Sequence, residues 1–183
     1  MAEIKLHLGC GNTIMRGWQN IDKYSTAPGV LKHDISKLPY GDNSVSVIYS
    51  SHMIEHVHQT ELPGAIKEWF RVLKPGGELI IRCPHGPTYL QKWLDGDDEF
   101  RMGIGLNAVL GIQTRHDGML NRGLFSESIL TKMLTAAGFN VTDCRKTSIR
   151  AKGLYAAIQR GEIDRGLDVV GFEHSDLYCR STK

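Results

Sequence analysis

Four clusters in the first third of this 183-residue chain hold groups suited to binding or reaction: Gly9-Cys10-Gly11, Asp22, Asp34 and Ser50-Ser51-His52. Glycines two apart allow positive φ and let a ligand come close to the main chain. Carboxylates accept hydrogen bonds from hydroxyls and amines. A histidine beside two serines can move a proton near neutral pH. A second pattern, His52-x-x-Glu55-His56, overlaps the last cluster. On one helix its two histidines would stand i,i+4 and could share a zinc ion, with Glu55 as base.

The elements that would carry these groups follow from periodicity. Leu6 and Leu8 alternate with Lys5 and His7, a strand that stops at Gly9. Further strands are expected near Trp18 to Asp22 and Val30 to Asp34, each ending on an acid. Val45-Ser46-Val47-Ile48-Tyr49-Ser50 is rich in β-branched and aromatic residues and reads as a buried strand. Thr60 is placed to cap a helix whose Leu62, Ala65, Ile66, Trp69, Phe70 and Leu73 share a face, ending before Pro75-Gly76-Gly77. Glu78 to Cys83 forms the next strand, and a helix follows from about Pro87 to Leu94. Ser126 caps a helix with Ile129, Leu130, Met133, Leu134 and Ala137 on one face and Gly138 after its end. Phe139 to Cys144 and a short Leu177-Tyr178-Cys179 complete the strands. Strands alternating with helices imply an α/β fold with a mostly parallel sheet. In such sheets ligands bind beyond the carboxyl ends of the strands, where Gly9, Asp22, Asp34 and Ser50 all fall.

The ligand is nucleotide-like, but not a dinucleotide. A pyrophosphate cradle needs Gly-x-Gly-x-x-Gly opening a full helix, then an acid about 20 residues on. Here the third glycine is missing, Asp22 comes early, and Thr13 to Gly17 allows about one helical turn. A cofactor without phosphates fits better.

At these residues the chain resembles the class I S-adenosylmethionine-dependent methyltransferases. The likeness rests on Leu8-Gly9-Cys10-Gly11, Asp22, Asp34-Ile35, Leu38-Pro39, Asp42-Asn43-Ser44, Ser50 through His56, and Arg71-Val72-Leu73-Lys74-Pro75-Gly76-Gly77. It runs from about residue 4 to 84, and more weakly to Val141. The resemblance implies a doubly wound, mostly parallel Rossmann-like sheet of about seven strands, the last antiparallel and near Tyr178. It implies S-adenosyl-L-methionine as cofactor and S-adenosyl-L-homocysteine as product. Leu8, Gly9, Cys10 and Gly11 would pass the methionine part. Asp22, with Lys23 beside it, would accept from both ribose hydroxyls. Asp34 and the Ile35 N–H would read adenine. Ser50, Ser51 and His52 would border the sulfonium, with His52 the first candidate for a catalytic base. His85, Tyr89 and His116 are substrate-side candidates.

The chain departs from the family in two ways: its glycine loop is followed by almost no helix, and no cap helices precede the first strand. Residues 95–125, with an acidic start and six glycines, are expected to be a lid or substrate-side insertion in a single domain spanning 1–183. The acceptor is expected to be a small or sugar-like molecule methylated on oxygen or nitrogen. A non-catalytic scaffold that binds the same cofactor is the alternative, and a zinc hydrolase a remote one; no metal is otherwise expected.

Composition narrows the partners. A net charge of +2 is no strong footprint for nucleic acid, and the six Lys/Arg against two acids in 145–165 read as a solvated face. No apolar run is long enough to span a membrane, and no secretion signal is evident. Cys10, Cys83, Cys144 and Cys179 are widely spaced and read as reduced thiols of a cytoplasmic protein.

Overall fold

The computed structural model describes residues 3–95, 98, 110, 120–147 and 176–183. Seven strands form one sheet: β1 (Lys5–Leu8), β2 (Gln19–Ile21), β3 (Val30–Leu31), β4 (Val45–Ser51), β5 (Leu73–Pro84), β6 (Asn140–Thr147) and β7 (Asp176–Thr182). Their order across the sheet is β3-β2-β1-β4-β5-β7-β6. β1 through β5 pair in parallel, whereas β7 runs antiparallel to both β5 and β6. The order reverses between β1 and β4. In an open parallel sheet that reversal opens a crevice at the carboxyl ends of the strands.

The helices are α1 (Leu62–Val72), α2 (Gly86–Leu94) and α3 (Glu127–Ala136). α1 buries Leu62, Ala65, Ile66 and Trp69 of the expected stripe, and Val72 besides; Phe70 is only partly buried and Leu73 falls in β5. These residues join Leu6, Leu8, Ile48, Leu79 and Ile81 from alternate positions of the central strands in one core. His7, Tyr49 and Ile80 point the other way; Tyr49 and Ile80 pack with Met15, Trp18 and Tyr178 in a smaller cluster. Ser126 caps α3 as expected, its Oγ accepting from the Ile129 N–H at 3.3 Å. Gly138 follows at φ +102°, where a Cβ would meet the Phe70 ring at 3.0 Å.

Several boundaries differ from the sequence reading. Residues 11–18 form turns and contain no helix, so even the single expected turn is absent. β3 is cut to two residues at the sheet edge, where it pairs only with β2; Asp34 therefore lies in the loop beyond it. Thr60 is not the cap of α1. Its hydroxyl sits 2.8 Å from His58 Nδ1, and Glu61 occupies the cap position without a side-chain bond. β5 begins at Leu73, which pairs with Val45 of β4, and Gly76 and Gly77 exchange backbone bonds with Lys183 just past β7. Ile129 is 46% exposed and turns away from the core that Leu130 and Leu134 enter. Of the expected lid, only Asp95, Asp98, Leu110 and 120–125 are described. Residues 120–123 dock on a short 3-10 turn, Ile54–His56: the Arg122 and Gly123 N–H groups donate to the Glu55 carbonyl at 2.6 and 3.2 Å.

Candidate functional site

β1 ends at Leu8, and the next residue reaches across to β2: the Gly9 N–H donates to the Ile21 carbonyl at 2.9 Å. Gly9 has φ +65°, and a Cβ there would lie 2.2 Å from Met53 Cγ. Met53 by itself thus demands a residue without a side chain at this position. Gly11 differs: φ is +52°, and the space a Cβ would enter is open. Both glycines line one cavity, but only at Gly11 is the space beside the backbone open.

Asp22 joins the first two strand ends. Its Oδ2 accepts from the Gly11 N–H at 2.9 Å, and its Oδ1 accepts from the Tyr24 and Ser25 N–H groups at 2.7 and 2.8 Å. A carboxylate has about four acceptor sites, so three are taken and one remains, on Oδ2. Asp34 is similarly engaged by the Ser36 N–H and hydroxyl, at 3.0 and 2.7 Å, and by Lys23 Nζ at 3.1 Å. The Ser36 bonds offset partial burial and hold the Asp34 carboxyl below its ordinary pKa. Trp69 Nε1 donates to the Ile35 carbonyl at 2.9 Å, fixing that loop to α1.

These residues surround a cavity of about 850 Å³ at the carboxyl ends of the strands. Gly9, Cys10, Gly11, Asp22, Lys23, Asp34, Ile35, Ser51 and His52 all line it. Leu8 and Ser50 do not. Both are fully buried, and Ser50 Oγ has no hydrogen-bond partner among the described residues. Period 2 accounts for the pair: β1 and β4 register Leu8 beside Ser50, and each turns its side chain into the protein. The cavity wall also includes Met53, His58, Glu61 and Arg122, which sequence reasoning did not assign to a site, and His56, which it placed only in the remote zinc motif.

His52 follows β4 with φ +51°, an uncommon conformation for a residue with a Cβ. Its Nε2 lies 3.2 Å from Asp176 Oδ2 and its Nδ1 lies 3.4 Å from Glu55 Oε1. Asp176 also pairs with the buried Arg82 guanidinium. Two positive and two negative groups thus balance under the cavity floor. Burial pulls the His52 pKa down, but the hydrogen bonds and charges of Asp176 and Glu55 outweigh it and raise the pKa to about 9. The ring is therefore an imidazolium at neutral pH with both nitrogens occupied. The base role expected of His52 does not fit this arrangement.

The remaining candidates fall elsewhere. His85 does not line the cavity; its ring nitrogens lie 2.6 Å from Thr88 Oγ1 and 3.0 Å from Glu127 Oε2, tying α2 to α3. Tyr89 is buried away from the cavity, and burial pushes its hydroxyl pKa up. His116 lies outside the described residues. The zinc motif lacks its helix: Ile54–His56 is a three-residue 3-10 turn, and His52 precedes it in the left-handed region. Among the described residues no three His, Cys, Asp or Glu side chains are grouped to hold a metal ion.

Residues 12–81 match the family model of the methyltransferase domain. The strand order and the cavity at its switch point agree with that match. Over these residues the chain is similar to the S-adenosylmethionine-dependent methyltransferases. No curated protein matches it in sequence. Solved structures share the methyltransferase fold at low identity. An S-adenosylmethionine-dependent methyltransferase from Methanosarcina mazei is 18% identical, with a TM-score of 0.65 over 100% of this chain and 93% of that chain. A second, from Archaeoglobus fulgidus, is 15% identical, with a TM-score of 0.61 over 100% of this chain and 86% of that chain. The Burkholderia thailandensis 1,6-didemethyltoxoflavin-N1-methyltransferase, solved with its substrate and S-adenosylhomocysteine, is 16% identical; its TM-score is 0.61 over 98% of this chain and 70% of that chain.

The cavity suits S-adenosylmethionine, the cofactor that this likeness implies. Its volume of about 850 Å³ falls within the usual range for small-molecule sites. The open space at Gly11 and the remaining acceptor site on Asp22 match a ligand with an extended tail and ribose hydroxyls. No described helix is long and apolar enough to cross a membrane.

Proposed function

We propose that this methyltransferase moves the methyl group of S-adenosylmethionine to an oxygen or nitrogen of a small-molecule, sugar-like acceptor. The observation that carries this reading is that the cavity's lining is drawn from two unlike stretches of chain. One, from β1 to the Asp34 loop, offers Gly11, Asp22, Asp34 and Ile35 to a polar cofactor. The other, formed by residues 52–61 and Arg122, presents His52, His56 and His58 to a second molecule.

The bound cofactor supplies an electrophilic methyl on a sulfonium. The protein's share is positioning and exclusion of water. The Asp22 acceptor left on Oδ2 takes one ribose hydroxyl, a narrower role than the bidentate contact expected from sequence. The Asp34 loop borders adenine, with the Ile35 N–H donating to a ring nitrogen. Ser51 and His52 flank the reacting carbon. Since Asp176 and Glu55 are buried beneath His52 and Arg82, the carboxylates offset the imidazolium charge near a cationic cofactor. All four cysteines are free thiols, in keeping with a cytoplasmic setting.

Calorimetric titration with S-adenosylmethionine and S-adenosylhomocysteine tests the reading, followed by an acceptor panel of alcohols, phenols, sugars and amines. Millimolar ligand that leaves the heat signal flat rejects it. Tight binding with no methyl transfer to any acceptor returns the scaffold alternative.

A further inference from the structure

Three histidines line the acceptor-side wall, and their hydrogen-bond partners give each a different proton inventory. His52 has a carboxylate at both ring nitrogens, so both carry protons. His58 Nδ1 accepts from the Thr60 N–H at 3.3 Å, so the proton of the neutral ring sits on Nε2. His56 Nδ1 lies 3.2 Å from the Leu120 carbonyl, which can only accept. Nδ1 must therefore donate, and the lone pair of the neutral ring is on Nε2. That nitrogen has no hydrogen-bond partner among the described residues.

We propose that His56 is the proton-accepting residue of the cavity, its Nε2 taking the O–H or N–H proton of the bound acceptor. The inference rests on the methyl-transfer reading. As the proton passes to Nε2, the acceptor's oxygen or nitrogen pair forms the new bond to the methyl carbon. The carbon–sulfur pair stays with sulfur in the thioether product, and the His56 imidazolium then releases its proton to solvent.

The other groups of the cavity are less suited. The Asp22 and Asp34 carboxylates are engaged with backbone and side-chain donors. Burial, with the Asp22 charge, pushes the Cys10 thiol up to about 12. Glu61 is exposed at the rim, whereas His56 is half-buried. A backbone carbonyl also orients the His56 ring, where two carboxylates face His52.

The supporting carbonyl comes from residues 120–123, 64 positions along the chain from His56. That segment is held by the Arg122 and Gly123 N–H bonds to the Glu55 carbonyl, and Gln59 Nε2 donates to the Arg122 carbonyl at 3.0 Å. The end of the expected lid thus sets the tautomer of the base.

The test is nitrogen-15 NMR of the histidine-labelled full chain, free and saturated with S-adenosylhomocysteine. The expected spectrum gives the neutral His56 ring as the Nδ1–H tautomer, the neutral His58 ring as Nε2–H, and His52 with both nitrogens protonated. A His56 ring protonated on Nε2 overturns the proposal. So does a His56→Asn variant that methylates the wild-type acceptor at the wild-type rate; a loss of about a hundredfold in kcat/KM is expected. That variant should keep its S-adenosylhomocysteine affinity, and added imidazole should restore turnover to His56→Gly. If the wild type binds no S-adenosylhomocysteine, the methyl-transfer reading fails, and the tautomers measured on the free protein stand as a separate result.

Discussion

His52 Nε2 lies 3.2 Å from Oδ2 of Asp176, a residue 124 positions further along the chain. One belongs to the turn after β4, the other opens β7, and β5 lies between those strands. The contact gives the first residue of the last strand a direct hold on the cavity wall, and it decides the charge of His52.

Stability should peak near pH 6.5, with opposite limbs from two histidines. His7 is fully buried, and that burial outweighs the Asn20 hydrogen bond and the Asp22 charge, lowering its pKa to about 4. Between about pH 4 and 6.5 the unfolded chain binds the extra proton, so stability rises with pH. His52 has the reverse sign. Its folded pKa is raised to about 9, so its contribution is full below 6.5 and is lost as pH climbs through 9. The His52 ring is 42% exposed, and solvent screening keeps that limb shallow, about 1 kcal/mol. Melting temperatures across pH 4–10 check this. His7→Gln should flatten the acid limb, and His52→Gln the alkaline one. Asp176→Asn leaves buried Arg82 short of a partner and should cost about 3–5 kcal/mol.

Gly9→Ala and Gly11→Ala should separate folding from binding. The first meets Met53 at 2.2 Å as well as an unfavourable φ, and should destabilise by about 2–4 kcal/mol. Met53→Ala in the same chain should recover part of that loss. Gly11→Ala carries the φ cost alone, about 1 kcal/mol, while its methyl enters the open cavity. Its S-adenosylhomocysteine affinity should drop out of proportion to its melting temperature. Denaturant titration and calorimetry on both variants decide the matter.

Asp22→Ala removes the acceptor for three backbone N–H groups at once. The expected cost is about 1–3 kcal/mol of stability, together with a fall of at least about tenfold in S-adenosylhomocysteine affinity. Unchanged affinity in a folded variant would remove Asp22 from the ribose contact and leave it as a turn cap.

Cys144 should be the first thiol to react with iodoacetamide. Cys144 and Cys179 face each other across β6 and β7, and the hydrogen bond between them lowers the Cys144 pKa and raises that of Cys179. Burial raises the thiols of Cys10 and Cys83 as well. Timed alkylation with peptide mass spectrometry gives the order directly. Labelling of Cys179 before Cys144 would contradict it.

Local chemistry determined much of this protein. The alternation through Leu6 and Leu8, the β-branched run at Val45 and the stripe from Leu62 to Trp69 each report a buried face. Burial follows from residue type and period, which are written in the sequence. Asp22 stood out as an acid at the end of a short strand, and the missing third glycine turned the reading away from pyrophosphate. Element ends were less legible. β3 stops after Leu31, where it has a single neighbour, and β5 starts at Leu73 because Val45 of β4 pairs with it. The roles of the histidines depended on tertiary structure altogether. His52, His56 and His58 are alike in sequence, each an imidazole after β4. Asp176, Leu120 and Thr60 make them different, since a histidine's proton positions follow the atoms opposite its nitrogens, and two of those three partners come from distant parts of the chain.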